Sequence, residues 1–289
     1  RLASKIYSID EHSVYLSTAP LYHAAPLMFS MRCLRYGATV VIMEKFDADQ
    51  ALRLIETHRV THSQWVPTMF VRMLRLPEQT RLSADLSSLR YVIHAAAPCP
   101  IEVKRRMIDW LGPILWEYYG GSEGNGLTVL DCDEWLSHPG SVGSAKIGRI
   151  RICGADGEGT VYFPDGPVFE YHNDPDKTCE AHNRYGWSTL GDIGYVDDEG
   201  YLYPTDRKAN MIISGGVNIY PQEAENLLLS HPDVIDAAVF GVPNEEFGEE
   251  VKAVVHPVDM TMAGPELEAV LMAFCRDSLS HVKCPRSVD

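Results

Sequence analysis

The sequence predicts an α/β large domain, built as a parallel sheet with crossover helices plus a β-rich subdomain, followed by a small α+β C-terminal domain. Three observations predict it. Short apolar runs alternate with amphipathic stretches over the first part of the chain, glycine-rich turns and short strand candidates crowd residues 141–205, and a helix–strand–strand–helix order follows Tyr220. Strands alternating with helices at this spacing argue for parallel pairing through crossovers. With 289 residues the chain can form one large or two modest domains, each with its own core. We place the division between 1–206 and 207–289.

Each element has a local cause. Tyr36-Gly37 leads into Ala38–Met43, which reads as a buried strand. Asp47 then offers an N-cap oxygen to a helix with Leu52 and Ile55 on one face. Thr61–Val66 and Leu89–Ile93 are the next strands. The second ends in the small-residue turn Ala95-Ala96-Ala97-Pro98, and Pro100 suits the first turn of a helix through Val103, Met107 and Leu111. Beyond Ser141, the pairs Asp156-Gly157, Asp165-Gly166 and Glu199-Gly200 mark turns between short strands, giving the β-rich part the character of a distorted barrel. The link from Ala155 to Thr160 is short: either the hairpin is tight, or residues are missing between Gly157 and Thr160. Pro221–Ser230 is a predicted helix stopped by His231-Pro232. Val234–Val242 and Glu250–His256 are strands, and Pro265–Leu279 is a closing helix with Leu267, Leu271 and Phe274 on one face.

Composition excludes several function classes. A net charge of -15 argues against a nucleic-acid partner, which needs clustered Lys and Arg. No apolar run approaches the ~18 residues of a membrane span, and no basic-then-apolar leader opens the chain at Arg1. The seven cysteines, at 33, 99, 132, 153, 179, 275 and 284, form no CxxC pair, so a disulfide framework or zinc site is not expected and a reducing, cytoplasmic setting is. A homodimer is expected on the general habit of soluble enzymes.

Residues 185–223 carry the strongest chemical signal. Gly191-Asp192 and Asp206-Arg207-Lys208 flank a hairpin-like segment, and the small-residue turn Ser214-Gly215-Gly216 precedes a new helix. Acid, base and flexible backbone at short fixed spacings suit a polyhydroxylated anionic ligand, a nucleotide above all. Asp192 can accept from ribose hydroxyls and Arg207 can donate to phosphate or ribose oxygens. The bland alternative is a surface turn with an ion pair of little worth. A second cluster, Trp116 to Gly124, offers glycines for close ligand approach, Tyr119 as a stacking face, the Ser122 hydroxyl, and Glu123 for a hard cation such as magnesium. The third is His23 in Pro20-Leu21-Tyr22-His23-Ala24; a lone histidine among apolar residues more often packs than reacts.

The motifs PLYHA, AAAPCP, YYGGSEG, GWSTLGD, TDRKANMIISGGVNIYPQEAE and KCPRS occur in that order. Together they resemble the adenylate-forming superfamily of acyl-CoA synthetases, luciferases and adenylation domains, and most of all its fatty-acyl-CoA synthetase branch. The resemblance covers essentially the whole chain. It implies ATP-dependent activation of a carboxylic acid as acyl-AMP, followed by transfer to a thiol, coenzyme A in this branch. It also implies roles: Tyr119 and Gly120 beside the adenine, the backbone of Ala96, Ala97 and Pro98 on its edge, Ser122 on phosphate, and Glu123 on Mg2+. Asp192 falls to the ribose, and Arg207 to ribose and phosphate. His23 falls to the border of the acyl and α-phosphate sites, which reverses its bland reading. Val66, His94, Gly120 and Gly121 would line the acyl tunnel. The glycines there leave room for a medium- or long-chain fatty acid, with a ring-bearing carboxylate second. Ser214, Gly215 and Gly216 would line the path of the coenzyme A thiol once the small domain rotates about Arg207–Ala209.

The resemblance also implies parts not found in these 289 residues: a Ser/Thr/Gly-rich phosphate loop upstream of His23 and a lysine beyond Arg286. A chain truncated at both ends is therefore expected. Ala209 stands where the family usually has Asp or Lys. Two alternatives stay open: an adenylating enzyme that loads a carrier protein, and a nucleotide-binding module without turnover.

Overall fold

A computed structural model describes residues 6–154 and 157–289. Ala155 and Asp156, and with them the Asp156-Gly157 turn and the tight link to Thr160, lie outside the described residues. Contacts divide the chain into two compact units, Arg1–Ile147 and Gly148–Asp289.

The first unit holds seven strands: β1 (Val14–Ser17), β2 (Thr39–Ile42), β3 (His62–Trp65), β4 (Tyr91–His94), β5 (Leu115–Tyr119), β6 (Leu127–Leu130) and β7 (Ser144–Ile147). Their order is β2-β1-β3-β4-β5-β6-β7. The first five are parallel, but β6 and β7 add antiparallel, so the sheet is mixed where a parallel one is expected. The reason is the short link between Tyr119 and Leu127, since a parallel return needs about a dozen residues. Ser144–Ile147 thus joins this sheet and not the β-rich part.

Among the described residues, six helices accompany it: α1 (Ala24–Arg35), α2 (Ala48–His58), α3 (Pro67–Leu74), α4 (Glu78–Ser83), α5 (Ile101–Leu111) and α6 (Cys132–Ser137). Strand alternation sends Leu16 and Val92 into a core with Leu52, Ile55, Phe70, Val103 and Met107. Their neighbours Tyr15 and Ile93 enter a second core with Phe29 and Cys33 of α1. Burying a side chain such as Leu52 contributes about 2 kcal/mol. The Asp47 carboxylate accepts from the Gln50 N–H at 2.7 Å and caps α2 as expected. The Ala38–Met43 strand is buried only at its ends, Ala38 and Met43: β2 is the edge of the sheet, and Ile42 is 53% exposed.

In the second unit, β8 (Arg151–Cys153), β9 (Gly159–Phe163), α7 (Pro175–Glu180), β10 (Ser188–Val196) and β11 (Leu202–Arg207) come first. The strands form an antiparallel sheet in the order β11-β10-β9-β8. It is open, not a distorted barrel, because four strands are too few to close around a filled interior. Next come β12 (Ile212–Ser214), β13 (Val217–Ile219), α8 (Pro221–Ser230), β14 (Val234–Asn244), β15 (Gly248–Pro257), α9 (Pro265–Ser278) and β16 (Ser287–Val288). These strands form a separate sheet in the order β13-β12-β15-β14, with β16 beside β15, and Ala224 and Leu228 of α8 pack with Leu267, Leu271 and Cys275 of α9 over it. The apolar face of α9 ends on Cys275; Phe274 is only half-buried and turns its ring to His231.

Candidate functional site

In the first unit the sequence-predicted residues share one placement: each sits at or just beyond the C-terminal end of a parallel strand. His23 follows β1, Val66 follows β3, His94 ends β4 with Ala96, Ala97 and Pro98 next, and Tyr119 ends β5 with Gly120, Gly121, Ser122 and Glu123 next. These four strands are consecutive neighbours in the sheet. Crevices at the carboxyl ends of such strands are where α/β sheets take ligands.

Local geometry fits that use. His23 is exposed at the start of α1, and its N–H donates to the Pro20 carbonyl at 3.1 Å. Val66 is extended because Pro67, the first residue of α3, forbids it a helical conformation. Ala96 has φ +78°, a left-handed conformation that costs a residue with a β-carbon about 1 kcal/mol, and it is exposed. The Gly124 N–H donates to the Gly121 carbonyl at 3.2 Å, closing the turn that presents Ser122 exposed and Glu123 half-buried. Gly120 does not supply the spare room expected of it. A β-carbon there would lie 2.8 Å from the Gly126 carbonyl oxygen, so backbone already fills that side.

His94 has no exposed surface. Its ring meets Phe70 edge-on with centroids 5.3 Å apart, and its Nε2 lies 3.5 Å from Glu117 Oε2. Burial, and secondarily the Lys104 charge, hold its pKa well below the ordinary imidazole value. Sequence reasoning missed its neighbours. Lys104 of α5 places Nζ 2.5 Å from Glu117 Oε2, and both side chains are buried. Burial pushes the Glu117 carboxyl up, while Lys104 pulls it down. Nothing in the spacing of Lys104 and Glu117 marks them as a pair.

In the second unit Asp192 and Arg207 face each other across β10 and β11. Arg207 Nε is 3.4 Å from Asp192 Oδ1, with Arg207 largely exposed. Asp206, quoted above only as part of a charged island, is buried. Its carboxylate accepts from the Arg207 N–H at 2.6 Å and from the Gln222 N–H at 3.0 Å. It therefore caps α8, whose own N-cap residue Tyr220 supplies no side-chain bond. Gly215 and Gly216 have φ +58° and +81° and join β12 to β13 as a two-residue hairpin, which needs positive φ at both central positions. The Gly215 N–H donates to the Phe247 carbonyl at 2.8 Å, and Ser214 is buried.

For magnesium, the described residues hold no group of three His, Cys, Asp or Glu that could form a cage. One half-buried carboxylate, Glu123, fits an ion carried mainly by nucleotide phosphates, the usual mode for magnesium.

Residues 2–168 match the family model described as AMP-binding enzyme, and residues 223–289 match the AMP-binding enzyme C-terminal domain. The chain belongs to the AMP-binding enzyme family. It is 38% identical to a feruloyl-CoA synthase of an Amycolatopsis species over 286 residues, 95% of this chain and 57% of that protein. It is 33% identical to a long-chain-fatty-acid–CoA ligase of Bacillus subtilis, over 99% of this chain and 52% of that protein. Among solved structures, the o-succinylbenzoate CoA synthetase of Bacillus subtilis in complex with its acyl-adenylate intermediate superposes with a TM-score of 0.80 at 29% identity, covering 99% of this chain and 58% of that one. This AMP-binding enzyme chain thus spans about half the length of the relatives it matches. Among its described residues no helix is long and apolar enough to cross a membrane.

Proposed function

We propose that this protein acts as an ATP-dependent carboxylic acid–CoA ligase, making an acyl-AMP and then the acyl-CoA thioester. The observation that carries this is the gathering of His23, Val66, Ala96–Pro98 and Tyr119–Glu123 at the C-terminal ends of four neighbouring parallel strands. The relatives' names add support, because each describes acid–CoA ligation.

In this reading the Tyr119 ring and the Ala96–Pro98 backbone bind adenine, Asp192 and Arg207 bind the ribose, and the Ser122 hydroxyl donates to phosphate. His23 borders the reacting carboxylate and orients it. Glu123 would hold magnesium, which when bound neutralises phosphate charge. The first step needs positioning and charge neutralisation, with no protein nucleophile. Ser214–Gly216 then line the path of the coenzyme A thiol after a rotation at Arg207–Ala209, the boundary between 1–206 and 207–289. The acid is a medium- or long-chain fatty acid or a ring-bearing carboxylate. The setting is cytoplasmic and the assembly a homodimer, which sedimentation checks.

The test is pyrophosphate release by the full-length protein against a panel of acids, followed by coenzyme A-dependent AMP release. Acid-dependent release in the first assay and thioester in the second are expected. Pyrophosphate release indifferent to every acid would overturn the reading, and transfer only to a carrier-bound phosphopantetheine would reassign the acceptor.

A further inference from the structure

Glu117 lies at a junction that the nucleotide chemistry does not use. It sits on β5 directly beside His94 of β4, two residues before Tyr119. Its Oε2 accepts from Lys104 Nζ at 2.5 Å and lies 3.5 Å from His94 Nε2. Lys104 is in the second turn counted from Pro100, and its cation also sits 4.7 Å from the centre of the Trp135 ring. All three side chains are at least 95% buried.

The topology gives this arrangement a consequence. The chain passes from His94 through Ala95–Pro98 to the start of α5 and Lys104, so the exposed turn with its left-handed Ala96 is bracketed by these two residues. One carboxylate meets the entry of the turn through His94 and the exit through Lys104, and it is itself two residues from Tyr119. An apolar core would hold these elements without fixing direction. A buried ion pair costs desolvation, and a well-packed apolar pair is often as stable. What the charged pair adds is a directional constraint on where α5 and β5 stand relative to the turn.

We propose that Glu117 and Lys104, with His94 against them, are positioning residues that set the spacing between the Ala96–Pro98 turn and the Tyr119 ring, and so make the site selective for adenine; this rests on the nucleotide reading above. Neither residue touches the base. A base of different edge chemistry is rejected only while turn and ring keep their spacing, because a buried donor or acceptor left unpaired is what penalises the wrong base.

The test is titration calorimetry of the full-length protein with AMP and with GMP, beside thermal unfolding. Two variants are compared: Glu117→Gln, which keeps an oxygen for Lys104, and the double variant K104M/E117L, which removes both charges together and so leaves neither one buried without its counter-ion. The double variant is expected to unfold near the wild-type temperature yet lose about tenfold or more of its AMP-over-GMP preference, a difference of about 1.4 kcal/mol. Glu117→Gln is expected to retain the preference within about threefold. A folded double variant with unchanged preference overturns the proposal. So does failure of both variants to fold, which would assign the cluster to stability alone. Wild-type protein that binds neither nucleotide would overturn the functional reading itself, and this proposal with it.

Discussion

Asp206→Ala removes the carboxylate that ties the end of β11 to the start of α8. The wild-type side chain is buried and accepts two backbone N–H groups, from Arg207 at 2.6 Å and Gln222 at 3.0 Å. Tyr220 supplies no alternative cap. Losing the cap costs about 1 kcal/mol, and losing a negative charge at a helix N-terminus costs about 0.5 kcal/mol more. The Arg207 N–H, left without its acceptor, adds about 1 kcal/mol. The sum, about 2–3 kcal/mol, should lower the unfolding temperature by about 5–10 °C for a unit of this size. Asp206→Asn keeps one acceptor oxygen and should fall between the two. Thermal unfolding of the three proteins, with hydrogen exchange at the first turn of α8, measures both effects. If Asp206→Ala unfolds within a degree of wild type, and the Gln222 amide exchanges no faster, the capping assignment is wrong.

Other outcomes follow from the site. Asp192→Ala should weaken AMP binding about tenfold or more in calorimetry, through loss of charge-assisted bonds; unchanged affinity would remove it from the ribose role. Glu123→Gln should slow acid-dependent pyrophosphate release about tenfold or more while AMP affinity stays within a few-fold; equal loss of both would remove it from the magnesium role. At Gly216, φ +81° strains bulky residues, so Gly216→Asn is the suitable probe; it should spare acyl-AMP formation and slow thioester formation, and loss of both would assign the hairpin to folding. His62 and His94 both have pKa values below the ordinary 6.5, chiefly from burial. The unfolded chain therefore binds more protons near that pH, so stability is full above it and lost as pH falls. Urea midpoints should be lower at pH 5.5 than at pH 7, and the drop should be smaller in His62→Gln; a midpoint that does not move with pH would contradict the assignment.

How much could be read from the chain depended on how far apart the cause and effect lay. The start of α8 at Pro221 and the cap of α2 by Asp47 were legible because proline geometry and capping act within a turn. The exposure of Ile42 was not, because it depends on which strand ends the sheet. Strand β1 has a weak sequence signature: Val14–Ser17 is only four residues long and is recognised by its pairing with Thr39–Ile42 and His62–Gln64. The motifs of the first unit were legible as words, and its sheet places them at the C-terminal ends of neighbouring strands. The bond from Asp206 to Gln222 spans sixteen residues and the Lys104–Glu117 pair thirteen, and neither has a periodic signature. A lysine in an amphipathic helix reads as solvent-facing, and only the fold turns Lys104 inward.

The contact at Gly120 bears on how this protein could be re-engineered. Libraries meant to widen an acyl pocket commonly vary the small residues beside it. Here any side chain at 120 would strike the Gly126 carbonyl and push apart the two ends of the loop that carries Ser122 and Glu123. Variation at that position would be selected against for loss of activation before any change in acid preference could be seen. Position 66, at the end of β3, offers a half-buried side chain with no such tie to the activating loop. Under the proposed function, variation there is expected to change acid preference while acyl-AMP formation persists, which a panel of acids would check.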